Sequence, residues 1–501
     1  MRELMRHCVL WSTLILLTLC FASVGRADWA PDGTAVSTEA YWQYGPKIAP
    51  DGSGGAVITW YDYRNLTYDI YAQRMTPSGA VLWTADGVAV CASSAAQYDP
   101  TICTDGAGGG IIAYEDDRAG DQDIYVQRVS SAGITQWTTY GVAACTTSYN
   151  QHSPMIVSDG AGGAIVTWED SRSGTETDVY AQRLNSAGVP QWGTNGVSIC
   201  TYSGGQYNPT IISDGAGGAI ITWIDFRNGN GDIYAQRVNA SGTVQWTADG
   251  AAICTDAADV NHVGIVSDGA GGALISWRDT RSVNWDIYAQ RINASGAVQW
   301  TTDGVALCTE AANQSEPAIT SDGAGGAIVS WQDSRSGAPG LYAQRVNASG
   351  VIQWTADGVA LSIVDSPTEV PQDNVPLPDG SGGAIVTWSD YRDSVIYPDI
   401  YAQRVDAWGA VMWETNGVAL CTADMDQIEP VLVTDGEGGA IVTWADRRSG
   451  TDYDVYAQRV SREGYIGGAH APVSAVALIS ITAALGSLGI VRSRSGRRPR
   501  R

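Results

Sequence analysis

Residues Ser321 to Ser362 read SDGAGGAIVSWQDSRSGAPGLYAQRVNASGVIQWTADGVALS, and this order of motifs recurs eight times along the 501-residue chain. Its Asp-Gly anchor falls at Asp51, Asp105, Asp159, Asp214, Asp268, Asp322, Asp379 and Asp435, so successive units start 54 to 57 residues apart. A fixed period of this length marks a repeat architecture, in which each unit packs on its neighbours and chain length does not force a split into domains.

Each unit parses into four strand-like runs separated by turn residues. In the third unit the runs are expected at Pro154 to Ser158, Gly163 to Trp168, Asp178 to Leu184 and Val189 to Cys200. SDGAGG supplies glycines for a tight connection, and NASG, as at Asn239 to Gly242, reads as a short hairpin loop. The Asp-Gly or Asn-Gly that follows the second Trp, as at Asp249-Gly250 and Asn195-Gly196, is either a hairpin turn or a bulge within the fourth strand. The run Ala-Ile-Val-Thr-Trp is apolar without alternation, so this strand is expected to be covered on both faces, as in a blade packed between two others. No helical stripe of useful length occurs in the repeats.

Two repeat positions hold 15 of the 19 tryptophans, one running from Trp60 to Trp444 with Tyr114 replacing Trp in the second unit, the other from Trp29 to Trp413. An aromatic residue repeated once per unit is expected in the inter-blade core. The last unit stops after Tyr456-Ala457-Gln458-Arg459-Val460 and lacks its fourth segment, while the chain from Trp29 to Ser37 carries that segment. Pairing of the two would remove the exposed sheet edges. The expected fold is therefore all-β, a single eight-bladed β-propeller over residues 28–466 closed by its N-terminal strand. Two four-bladed rings fit less well, because no linker separates units four and five. On these motifs the chain resembles β-propellers with velcro closure, specifically bacterial secreted repeat proteins with Trp-x-Asp-x-Arg and Asp-Ile-Tyr-Ala-Gln-Arg units. The resemblance spans Trp29 to Val460 and implies a fold and a surface location, not a biochemical role.

The two ends carry addresses. Residues 1–27 read as a signal peptide, with Arg2 and Arg6, an apolar run from Val9 to Ala22, and small residues Gly25 and Ala27. Residues 467–501 read as an anchor or sorting tail: Ala471 to Val491 is uncharged and long enough to form a transmembrane helix, and six arginines follow from Arg492 to Arg501. The order of spacer, apolar helix and arginine cluster resembles bacterial surface-sorting tails, with Gly467-Gly468 like the glycine pair cut by rhomboid-like sorting proteases. Export to the extracellular face of a bacterial membrane, or release after C-terminal processing, is expected.

The chain carries a net charge of −24, and nine of its 29 basic residues lie in the two ends. Such a field repels nucleic acid and anionic lipid. A glycan or a surface protein is the expected partner, the membrane is reached only through the C-terminal helix, and the propeller is expected to be a monomer.

The repeated charges read as structure. Asp-x-Arg pairs (Asp62/Arg64 through Asp446/Arg448) and the Arg of Tyr-Ala-Gln-Arg recur in all eight units, as bidentate clamps would, whereas catalysis needs unlike groups in one place. Ser158-Asp159-Gly160 with Trp168 departs from the Asp-box of sialidases, Ser-x-Asp-x-Gly-x-x-x-Trp. No His/Cys spacing suggests zinc and no calcium-loop ladder appears, so no metal or cofactor is expected. Cys91, Cys145, Cys200, Cys254, Cys308 and Cys421 share one repeat position, too far apart in neighbouring blades for the ~7 Å disulfide limit. Cys103 is off-pattern and leaves a bridge to Cys91 open.

Two sets of residues are candidates for ligand binding. Gln43, Gln97, Gln151, Gln206, Gln314 and Gln427 precede the first strand of their units and would edge the channel mouth if that strand is innermost. Unit seven carries the longest insertions and brings Asp365, Glu369, Asp373, Tyr397 and Trp408, carboxylates and aromatics suited to sugars. No catalytic residue is identified. The expected function is a non-catalytic binding or adhesion scaffold. The alternatives are a hydrolase or lyase acting on extracellular polysaccharide, and a structural surface-layer component.

Overall fold

A computed structural model of the chain describes residues 29–256, 258–335, 340–363, 371–394 and 396–467. The expected signal peptide and the expected transmembrane span 471–491 lie outside them. Among the described residues no helix is long and apolar enough to cross a membrane.

The described chain forms eight four-stranded antiparallel sheets, each with its strands in sequence order except the last. The innermost strands, from Gln43–Pro50 to Gln427–Thr434, neighbour one another around a ring in which the eighth touches the first. This is an eight-bladed β-propeller. In the eighth blade the strand order is completed by Thr34–Ser37, which pairs with Asp454–Val460 in the register Thr34 with Ala457 and Ala35 with Tyr456. The same N-terminal segment is held by the Asp32 carboxylate, which accepts from the Thr422 amide at 3.1 Å, and by the Ala30 carbonyl, which accepts from Gln458 at 2.9 Å.

The second strand of each blade is buried along its length, as Ala164–Asp170 illustrates, because blades cover it on both sides. Seven of its tryptophans are fully buried and Tyr114 fills the eighth place. The Trp-x-Asp-x-Arg motif forms a clamp. In blade four the Asp225 carboxylate accepts from the Trp223 indole at 2.8 Å and from the Arg227 guanidinium at 2.7 and 2.8 Å. The guanidinium lies 3.6 Å over the Tyr234 ring. The second arginine of each unit ties the opposite end of the blade: Arg183 holds Asp159 at 2.9 Å and donates to the Ala240 carbonyl of the next blade at 3.1 Å. The other tryptophan ring does the same, with Trp83 donating to the Ser131 carbonyl at 3.0 Å. Gly133, at φ 77°, sits under that indole, where a Cβ would approach Trp83 Cγ to 2.7 Å.

Strand boundaries differ from the sequence reading in two ways. The innermost strand begins at the glutamine, as in Gln151–Ser158, three residues before the expected start. The outer strand is only Val197–Cys200, because Asn195 (φ 63°) and Gly196 (φ 80°) form a tight turn ahead of it. All seven cysteines of the described residues are buried free thiols, Cys91 and Cys103 included.

Candidate functional site: the channel mouth

Every innermost strand contains a bulge near its start, two residues after the first position in seven blades and one residue after it in the seventh blade, where the register to the second strand shifts. The bulge residue is left-handed in all eight blades: Gly45 at φ 61°, and Asp99, Ser153, Asn208, His262, Glu316, Asp373 and Glu429 between 44° and 54°. Non-glycine residues seldom adopt this conformation, and a ring of seven is sustained only because the surrounding ladder fixes it. Five of these residues, Gly45, Asp99, Ser153, Asn208 and Glu429, line a cavity at the channel mouth, while Glu316 and Asp373 bond Gln332 and Ser389 of their own blades. These residues differ from blade to blade, so the mouth is not symmetric although the blades are.

An open cavity of about 560 Å³ occupies the mouth over blades one to four and eight, lined by Tyr44, Lys47, Tyr61, Asp99, Asn208 and Glu429 among others. Tyr44 donates to the Glu429 carboxylate at 2.5 Å. Burial raises the proton affinity of both groups, and the Tyr44 bond and the Lys47 charge partly offset this at Glu429. Gly45 is required here, since a Cβ would reach Tyr61 at 2.6 Å, so the Tyr61 ring occupies the place a bulge side chain takes elsewhere. Tyr453, Tyr44, Tyr61, Tyr68 and Tyr98 form a chain of ring contacts with centroids 5.4 to 5.6 Å apart, an aromatic belt confined to blades eight, one and two.

The residue between Trp and Asp of the clamp forms a second layer behind the ring. Glu115 accepts from the Ser153 amide of the next blade at 2.7 Å, and Glu169 accepts from the Asn208 amide at 2.8 Å. Burial, reinforced by Asp99, Asp117 and Glu169, pushes the Glu115 carboxyl up to about 7. At neutral pH it is shared between protonated and ionised forms. Burial lowers the proton affinity of His152 and His262, and the Arg278 charge lowers that of His262 further. The mouth thus brings unlike groups together: carboxylates, tyrosines, imidazoles and two cations, Lys47 and Arg278.

The glutamines expected to edge the mouth do not do so. Gln43, Gln97, Gln151, Gln206, Gln314 and Gln427 are fully buried. Each pairs in register with the clamp aspartate, as Gln43 with Asp62, and turns its amide to the carbonyl two residues upstream, as Gln43 to Tyr41 at 2.6 Å. The unit-seven set is also divided. Asp373 belongs to the bulge ring and accepts from the Glu429 amide at 3.3 Å. Tyr397 is half-buried in the loop before Asp399–Val405, at the same end of the blade. Trp408, 87% exposed, follows Val405 and lies at the opposite end, so it cannot share a site with Asp373. Asp365 and Glu369 lie outside the described residues. Among the described residues no cluster of three or more His, Cys, Asp or Glu is arranged to hold a metal.

The bulge ring escaped the sequence reading. Its signal is a variable polar residue before a proline, as in Asp99-Pro100, Ser153-Pro154, Asn208-Pro209 and Glu316-Pro317, inside an otherwise constant repeat.

No protein-family model matches the chain, and no curated protein matches it. Solved structures do. A polysaccharide lyase described as an ulvan lyase is similar over 76% of this chain and 96% of its own, at 9% identity and a TM-score of 0.47. An α-L-arabinanase of Penicillium chrysogenum is similar over 62% of this chain and 94% of its own, at 13% identity and TM-score 0.39. A protein of unknown function from Dyadobacter fermentans covers 60% and 95%, at 11% identity and TM-score 0.35. At these identities the likeness is one of fold.

Proposed function

We propose that the protein is an exported propeller that binds a glycan in its channel mouth, displayed on the outer face of a bacterial membrane or released from it. The observation that carries this reading is the juxtaposition in one cavity of the Tyr44–Glu429 pair, Lys47 and the Tyr61 ring, which packs on Tyr44. Tyrosine faces accept the apolar face of a pyranose, and carboxylate and ammonium groups bond its hydroxyls, the usual division of labour in a polar-ligand site. The repeated blades supply a rigid frame, and the variation at the bulge makes one sector of it distinct. Pairing of the N-terminal strand with the last blade holds that frame shut, on this reading, and keeps the mouth in shape. The test is a panel of soluble oligosaccharides titrated against the exported chain. Binding that is lost in a Tyr44→Ala/Glu429→Ala variant of unchanged melting temperature supports the proposal; binding unaffected by that variant rejects it.

A second reading, cleavage of the bound glycan, is favoured by one observation. Glu115 sits behind the ring with its carboxyl pushed up to about 7, in the range in which a carboxyl can serve as a proton donor at neutral pH. Release of new chain ends from a bound polysaccharide, absent in Glu115→Gln, would distinguish an enzyme from a binder.

A further inference from the structure

Arg278 is the exception among the arginines. Every other described arginine but one holds a carboxylate at 3.5 Å or less, and the remaining one, Arg462, donates to Ser381 at 2.7 Å. Arg278 makes no ion pair among the described residues, and its buried Nε has no hydrogen-bond partner. In a chain with 53 acidic residues an arginine in a mouth rich in carboxylates would be expected to find one. Instead its guanidinium lies 4.6 Å over the Trp285 ring, which fixes its plane while leaving its donors free. Glu316 is close enough to act on it electrostatically, but that carboxylate is engaged by the Gln332 amide at 2.5 Å. His262, left-handed and only partly exposed, interacts with it electrostatically.

The position is unique in the repeat. Arg278 stands between Trp and Asp of the clamp, where the other blades carry Tyr61, Glu115, Glu169, Ile224, Gln332, Ser389 and Ala445. Blade five also departs from the innermost-strand pattern around it, with Val260 for the buried glutamine, Val263 for the proline and Gly264 after it. Arg278 belongs to blade five, four blades round the ring from Lys47 in blade one.

We infer that Arg278, oriented by Trp285 and flanked by His262, is the subsite for an oxyanion carried by the glycan, a uronate carboxylate or a sulfate ester. This rests on the glycan reading and specifies the ligand class. A guanidinium with free donors bonds a carboxylate or sulfate through two parallel N–H···O contacts. The surrounding carboxylates favour an extended ligand with a few discrete anionic groups over a densely charged one.

The full chain is titrated with three oligosaccharide probes: trigalacturonate, a sulfated galactan fragment and a neutral galactan fragment. Arg278→Gln is expected to weaken binding of the preferred charged probe about tenfold, the cost of one charge-assisted contact, and to leave any neutral-probe binding within about twofold. The trigalacturonate and sulfate arms identify the oxyanion. Equal effects on charged and neutral probes, or no effect of Arg278→Gln, overturn the inference. A second measurement is independent of the oligosaccharides. Phenylglyoxal modification of Arg278, read by mass spectrometry, should be slowed by free galacturonate or inorganic sulfate. Protection without oligosaccharide binding upholds the oxyanion site and rejects the glycan reading. Absence of protection by either anion rejects the site.

Discussion

The Tyr44 hydroxyl reaches the Glu429 carboxylate across 2.5 Å, although 385 residues separate them in the chain. The contact joins blades one and eight at the channel mouth, where Gly45 leaves room for Tyr61. Tyr44→Phe removes a hydrogen bond to a charged acceptor without disturbing the ring packing. A loss of about tenfold in ligand affinity is expected, with melting temperature nearly unchanged; titration calorimetry and a thermal scan on the same sample check both.

The clamp motif carries stability, not binding. Asp225→Ala leaves the Arg227 guanidinium and the Trp223 indole without their acceptor in a buried setting, and a cost of about 3–5 kcal/mol is expected. Asp225→Ala/Arg227→Ala should cost less than the single change, because no charge is then stranded. Urea unfolding of the three proteins measures the difference, and ligand affinity of the folded fraction should be unaltered.

Stability should fall as pH rises through the weakly acidic range. Burial pushes the carboxyls of Asp123, Asp178 and Asp286 up to about 6 and those of Asp399 and Asp454 up to about 7, with neighbouring aspartates adding to the effect. A carboxyl that holds its proton more tightly when folded incurs no penalty below its unfolded value near 4 and the full penalty above its folded value. The window is therefore about pH 4 to 7, with the folded state favoured at the acid end. Asp399→Asn/Asp454→Asn should flatten the melting-temperature profile across it.

The N-terminal strand is expected to be indispensable. Removing residues 29–37 exposes the edge of Asp454–Val460 and the carbonyl-binding groups of Gln458 and Arg448. Size-exclusion chromatography should show unfolding or oligomers; a truncated monomer with native melting would contradict this.

The frame was legible in the sequence because repetition imposes the same inter-blade contact eight times. The tryptophans, the Asp-x-Arg clamps and the buried second strand announce themselves by recurrence, and each is where its chemistry requires. The mouth was not legible for the same reason. Gln43 and its equivalents recur in six blades and are buried, as a group repeated for a structural purpose should be, while Asp99, Ser153, His262 and Glu316 vary. Their left-handed φ follows from the bulge: Asp and His tolerate that region better than most residues, but Ser and Glu have no such preference. Trp408 drew attention as an off-pattern aromatic, but strand direction places it at the far end of blade seven. Residues two apart at the start of a strand normally share a face; the bulge breaks that parity and separates Gln97 from Asp99.

The central claim is that the ligand sits in the mouth, and it is tested most directly by calorimetric titration of the tightest-binding oligosaccharide into two variants. Tyr44→Phe/Arg278→Gln alters the mouth, and Trp408→Ala alters the opposite end. The account predicts that the first loses binding at an unchanged melting temperature while the second binds as the native chain does. Full affinity in the first variant and lost affinity in the second would place the ligand on the other face and contradict it.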